Sequence, residues 1–202
     1  MKRTLFKLAL LSTSILLATT TFADVTASAT AKWDATAVKD TKSALVVTPI
    51  KSLSFQYAEG LQSFNTQNGI FDVTIQGQSG STDFELTSQV ISDTLSRSTD
   101  ASTLQVGISW NGKKLSKNTT TTLINTNTGI NVGLEGLSVA SAYASSDRTS
   151  AQGTFVFSID SATADGTTAA EYKDLADGMW NGEVAVQFTA VWTESPQPAP
   201  EA

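Results

Sequence analysis

The chain has 202 residues, 19 acidic and 13 basic, for a net charge of −6, and contains neither cysteine nor histidine. Those two zeros exclude zinc clusters, thiolate-held iron–sulfur centres, thiol nucleophiles and His-based triads, leaving an enzyme only carboxylate, hydroxyl or lysine chemistry. The acidic balance argues against nucleic acid or anionic lipid as the main partner.

Residues 1–23, MKRTLFKLALLSTSILLATTTFA, combine a basic start, a short apolar stretch and small residues at Thr21 and Ala23. This is the pattern of a Sec-type signal peptide cleaved before Asp24, and the apolar run is too short to span a bilayer. The three bases Lys2, Arg3 and Lys7 would leave with it, so the exported remainder carries 10 bases against 19 acids, a net of −9. That remainder has 179 residues, 47 of them Ser or Thr, and reads as one domain without disulfides.

From residue 24 onward the dominant signal is alternation with a period of two. Val25, Ala27, Ala29, Ala31 and Trp33 alternate with small polar residues. The stretch 34–43, DATAVKDTKS, is polar and offers no core residue. A strand separated from its domain by such a linker is arranged for donation to another chain. A fuller apolar run over 44–50, ending at Pro49-Ile50, predicts a strand buried on both faces or an edge strand. Strands are then expected around Leu53, Phe55 and Tyr57; Phe71, Val73 and Ile75; Phe84 and Leu86; and Leu104, Val106, Ile108 and Trp110. Asn111-Gly112 directly after the last of these is a hairpin signal, because both residues tolerate positive φ. Further strands are expected over 119–124, at Phe155, Phe157 and Ile159, and at Val184, Val186, Phe188, Ala190 and Trp192. One short helix is expected over 169–176, stopped by Asp177-Gly178. Three of the four prolines fall at 196, 198 and 200, so 194–202 reads as an extended tail. About eight strands at this spacing predict a β-sandwich or barrel.

Catalytic patterns are weak. Asp83 and Glu85 share one strand face, whereas a glycosidase needs two opposed carboxylates. The Gly-rich stretch 77–81 lacks the lysine and helix of a phosphate loop. Asp165-Gly166 and Asp177-Gly178 read as turns rather than calcium loops. Asn118-Thr119-Thr120 is a glycosylation sequon by pattern only. The reading is a non-enzyme with no catalytic, cofactor or metal residues.

Segments 25–33, VTASATAKW, and 184–192, VAVQFTAVW, resemble each other in alternation and in their terminal tryptophan. Beyond this internal likeness, 32–49 (KWDATAVKDTKSALVVTP), 55–60 (FQYAEG), 71–73 (FDV), 154–159 (TFVFSI) and 178–188 (GMWNGEVAVQF) resemble the major pilins of the common pilus (Mat/ECP fimbria) family of enterobacteria. The resemblance covers almost all of 24–202 and is weakest over about 97–147. It implies an all-β, incomplete immunoglobulin-like sandwich over 44–193, preceded by a donor arm and linker over 24–43. A strand from a neighbouring subunit would complete the sandwich. It further implies an adhesive fibre of identical subunits at the cell surface, serving adherence and biofilm formation. The partners so implied are a periplasmic chaperone, an outer-membrane usher, a tip adhesin and a host-cell receptor. The donor residues would be Val25, Ala27, Ala29, Ala31 and Trp33. The acceptor groove would be lined by Leu45 and Val47 on one side and Val186, Phe188, Ala190 and Trp192 on the other.

Two rival readings use other features. A carbohydrate- or receptor-binding sandwich would employ Trp110 and Trp180 as exposed rings. An amyloid-like matrix protein would need tandem repeats, which the sequence lacks.

Overall fold

The structure is a computed structural model and describes residues 39–194. Thirteen strands occur among these residues: β1 Leu45–Pro49, β2 Tyr57–Ala58, β3 Ser63–Phe64, β4 Gln67–Gln76, β5 Ser81–Ser92, β6 Thr94–Arg97 and β7 Thr103–Trp110. They continue with β8 Lys113–Lys114, β9 Thr121–Asn125, β10 Arg148–Thr163, β11 Ala169–Ala170, β12 Trp180–Asn181 and β13 Ala185–Glu194. One short helix, α1, spans Ala140–Tyr143.

Two antiparallel sheets carry the fold. The larger runs β1-β4-β10-β7-β6-β12, with β11 added to β10 and β8 to β7; the smaller runs β13-β5-β9. Along the larger sheet, β1, β4, β10 and β7 take the places A, B, E and D of an immunoglobulin sandwich. In the smaller sheet β13 and β5 take F and C. Among the described residues no strand fills the place G beside β13. The fold is therefore an immunoglobulin-like sandwich short of one strand.

Alternation decides which residues meet between the sheets, since successive side chains of a strand point to opposite faces. Phe71, Val73 and Ile75 of β4, Leu104, Val106 and Ile108 of β7, and Phe155, Phe157 and Ile159 of β10 form one inner face. Phe84, Leu86 and Val90 of β5, with Leu123 of β9, form the other; all of these are buried. Aromatic rings knit the larger sheet, with Phe71 and Phe155 stacked at 4.6 Å and Trp110 edge-on to Phe155 at 5.6 Å. Gly153 belongs to this packing because a Cβ there would sit 2.6 Å from the Phe71 ring.

The Asn111-Gly112 turn joins β7 to β8 as expected, with φ of 47° and 78° at the two residues and Trp110 opposite Lys113. Other expectations require correction. Residues 169–176 form no α-helix. Ala169 and Ala170 pair with Thr163 and Ala162, and Tyr172–Asp174 is a single 3-10 turn held by the Tyr172 hydroxyl donating to the Ile159 carbonyl at 2.8 Å. Leu53 and Phe55 pack on the core without joining a ladder, and only Tyr57 of that run enters a strand. Helix α1 was not expected. It sits on the turn between β4 and β5, where Gln78 N–H donates to the Tyr143 carbonyl at 2.8 Å.

Candidate functional site

Strands β1 and β13, each at one end of its sheet, have one ladder partner among the described residues, β4 and β5 respectively. Among the described residues each therefore presents a backbone edge without a partner, the arrangement that invites pairing with a further strand. Pro49 at the end of β1 fits that position, since a proline is tolerated on an edge where no ladder donor is needed.

Register fixes the side chains along these edges. Leu45 lies opposite Ile75 and Val47 opposite Val73, so both turn toward the sandwich interior. On β13, Val186 lies opposite Val90, Phe188 opposite Ser88, Ala190 opposite Leu86 and Trp192 opposite Phe84. All six edge residues read from the sequence thus face inward. Their ladder partners are fully buried, whereas the six are only half-buried and pack on the margin of the core. The exposed side of this apolar margin is what a missing strand would cover.

Two rings stand along this margin. Phe188 reaches across to the larger sheet, 5.3 Å from Phe71 and 5.9 Å from Phe155, while Trp192 lies 5.2 Å from Phe84. Among the described residues the buried Trp192 indole Nε1 has no hydrogen-bond partner, nor has the Ser88 hydroxyl opposite Phe188. Buried donors normally find a partner, so both are costly where they stand. Phe71, Phe155 and Phe84, the rings nearest Phe188 and Trp192, are legible in the sequence as core strand residues but not as neighbours of β13. Only the topology brings them under β13.

The donor residues Val25, Ala27, Ala29, Ala31 and Trp33 lie outside the described residues, as do residues 1–23 and 195–202. The described chain opens with a fixed turn. The Asp40 carboxylate accepts the Ser43 hydroxyl and the N–H groups of Ser43 and Lys42. These bonds, led by the hydroxyl, pull its pKa from 3.8 to about 2. Arg148 then donates to the Ser43 carbonyl at 2.8 Å and ties this turn to β10.

The remaining candidates have ordinary surroundings. Asp83 and Glu85 alternate with buried Phe84 and Leu86 on the outer face of β5, where Glu85 accepts a bond from Asn125 Nδ2 at 3.2 Å. The Asp165 carboxylate is occupied by the N–H groups and hydroxyls of Thr168 and Thr167, led by the Thr168 N–H. These hold it well below the usual carboxylate range. Among the described residues no group of three or more acids is gathered as a metal site. Trp110 is 6% exposed, inside the core. Trp180 is half-buried, with its Nε1 donating to the Ser102 hydroxyl at 3.0 Å and the Arg97 guanidinium 5.5 Å from its ring. Neither tryptophan is the exposed sugar platform that a lectin-like reading requires.

A family model described as Fimbrillin MatB matches residues 26–192. The chain is 48% identical over 195 residues to the common pilus major fimbrillin subunit EcpA of Escherichia coli K12, covering 96% of this chain and 100% of that protein. It is 47% identical, with the same coverage, to the EcpA of Klebsiella pneumoniae strain 342. A solved pilin subunit, CooA from enterotoxigenic Escherichia coli, shares 19% identity over 71% of this chain and 86% of its own, with a TM-score of 0.47.

Proposed function

The chain belongs to the MatB fimbrillin family, and from that membership we propose that it is the major structural subunit of a common-pilus-type fibre. The fibre stands on the cell surface, where it serves adherence and biofilm formation. Copies of the chain associate with one another. A strand of residues 25–33 from one copy enters the groove between β1 and β13 of the next.

The observation that carries this reading is the open edge of β13, whose inward side chains Val186, Phe188, Ala190 and Trp192 remain half-buried beside a fully buried partner strand. A nine-residue strand spans about 30 Å, close to the length of β13. Its main-chain hydrogen bonds would contribute about 0.5–1.5 kcal/mol each, and its side chains would complete the core without a disulfide. Ordering the arm costs about 1–2 kcal/mol per residue. The longevity of the joint is therefore largely kinetic, because withdrawing the strand requires the sandwich to open.

The same open groove needs cover before assembly. A periplasmic chaperone holding the subunit after export and signal removal, and an outer-membrane usher adding subunits to the fibre, meet that need. A tip adhesin would cap the far end and carry any host-receptor contact. The reading assigns no catalytic role to the chain.

Peptide complementation tests the reading. Subunit lacking residues 24–34 should bind a synthetic peptide of those residues and unfold at a higher temperature. The same peptide carrying Ala29→Asp should do neither. Equal response to both peptides would overturn it.

A further inference from the structure

Strand β1 begins and β13 finishes at the same end of the sandwich. Leu45 lies opposite Ile75 near the end of β4, and Glu194 lies opposite Ser81 at the start of β5, just across the 77–80 turn from β4. The approach to β1 is pinned at that end. The Asp40 carboxylate closes the turn over residues 40–43, Arg148 donates to the Ser43 carbonyl at 2.8 Å, and Gln76 N–H donates to the Ala44 carbonyl at 2.7 Å. Asp40 is thus a fixed point from which the reach of the preceding residues is measured.

Resting on the proposed strand donation, we infer that the anchored Asp40 turn is a stop that keeps each chain's arm out of its own groove and reserves that groove for the arm of a second copy. Direction and length decide this. Every ladder of the two sheets is antiparallel. Residues 25–33 added to β13 in the same sense set Val25 beside Trp192 and Trp33 beside Val184. From the level of Val184 to that of Glu194, the end where Asp40 stands, is about 33 Å of strand. Seven Cα–Cα steps lead from Trp33 to Asp40, at most about 25 Å when fully extended. The chain's own arm therefore falls short. The arm of a second copy, tethered to an Asp40 outside the acceptor, meets no such limit. In the parallel sense the chain's own arm does reach, but it brings Trp33 level with Trp192, whose ring already lies 5.2 Å from that of Phe84. Two indoles then compete for one rung.

The consequence is large because closure depends on reach. A tether too short to span its sites gives an effective concentration near zero, whereas one that spans them gives about a millimolar. At about micromolar protein, a sufficient tether would favour self-closure over exchange by about a thousandfold. Releasing residues 40–43 from their anchors would add about 14 Å, enough to bridge the gap.

Refolding of purified protein at low concentration tests this, read by unboiled SDS electrophoresis and by melting temperature. Protein with about twelve Gly/Ser residues inserted between Val38 and Lys39 spans the gap easily. It should give monomer in place of the ladder, and that monomer should melt higher than the same protein lacking residues 24–34. Asp40→Ala/Arg148→Ala should move the balance from ladder to monomer in the same direction. An arm-stabilised monomer from the unsubstituted chain would overturn the inference. An unchanged ladder in the insertion variant, or an unchanged balance in Asp40→Ala/Arg148→Ala, would overturn it too. In each of these cases, binding of the 24–34 peptide by subunit lacking its arm leaves the groove reading standing. Failure of that peptide to bind would overturn strand donation and this inference with it.

Discussion

The ring of Phe188 lies 5.3 Å from that of Phe71, so the free edge strand of the smaller sheet is anchored directly to the larger one. Phe188 packs against the core and, under the proposed strand donation, is the largest side chain the donated strand would meet. If 25–33 aligns antiparallel with 184–192, Ala29 falls opposite Phe188, Ala27 opposite Ala190 and Ala31 opposite Val186. On that proposed pairing the middle of the arm would meet an aromatic ring, which is a physical reason for alanine there rather than leucine.

Truncating that ring should destabilise the subunit itself. Phe188→Ala removes a half-buried side chain in contact with Phe71 and Phe155, at a cost of about 2–4 kcal/mol. Urea unfolding of the isolated subunit measures this, and a loss below about 0.5 kcal/mol would show that the ring anchors nothing.

Changes at Ala29 should act only on assembly. Ala29→Asp would bury an unpaired charge in the joint and abolish polymerisation while leaving export and the subunit's melting temperature unchanged. Electron microscopy of the cell surface reads the first effect and thermal unfolding of the isolated protein the second.

The unpartnered Ser88 hydroxyl makes an opposite prediction. Ser88 is buried and its Oγ finds no partner among the described residues, so Ser88→Ala should leave stability unchanged or raise it by about 1 kcal/mol. Most substitutions at a buried site destabilise; a loss of more than about 1 kcal/mol would mean the hydroxyl has a partner after all.

Stability should be flat across neutral pH and fall only in acid. The chain has no histidine to titrate between pH 5 and 8. The folded pKa values of Asp40 and Asp165 are depressed. Their contribution is therefore complete above the unfolded value near 4 and is lost as pH falls through the folded values, from about 4 to 2 and below. Both groups are fully exposed, so the effect is small. Asp40→Asn/Asp165→Asn should lower stability at neutral pH and make its loss in acid less steep, as read by melting temperature from pH 7 to pH 2.

Much of this fold is legible in the sequence where burial and alternation coincide, as in Phe71-Val73-Ile75, Leu104 to Trp110 and Phe155-Phe157-Ile159. Pro49 likewise marks β1 as an edge. The 169–176 misreading has a definite cause. Alanines and alternating charges favour a helix locally, but Ala169 and Ala170 find ladder partners on β10 and Tyr172 is pulled to the Ile159 carbonyl. Alternation already places Trp110 on the inward face with Ile108, and the packing of Phe71 and Phe155 around it, not the adjacent Asn111-Gly112 turn, decides its burial. The six residues proposed to line the groove are legible as an alternating face. That they stand on two free edges follows only from the pairing of β1 with β4 and β13 with β5.

The most direct test of strand donation is gel electrophoresis of unboiled purified protein in SDS, with and without residues 24–34. The account predicts a ladder that collapses to monomer on boiling and is absent when the arm is deleted. A monomer that is stable and unchanged with the arm intact would contradict it, placing the strand within its own chain.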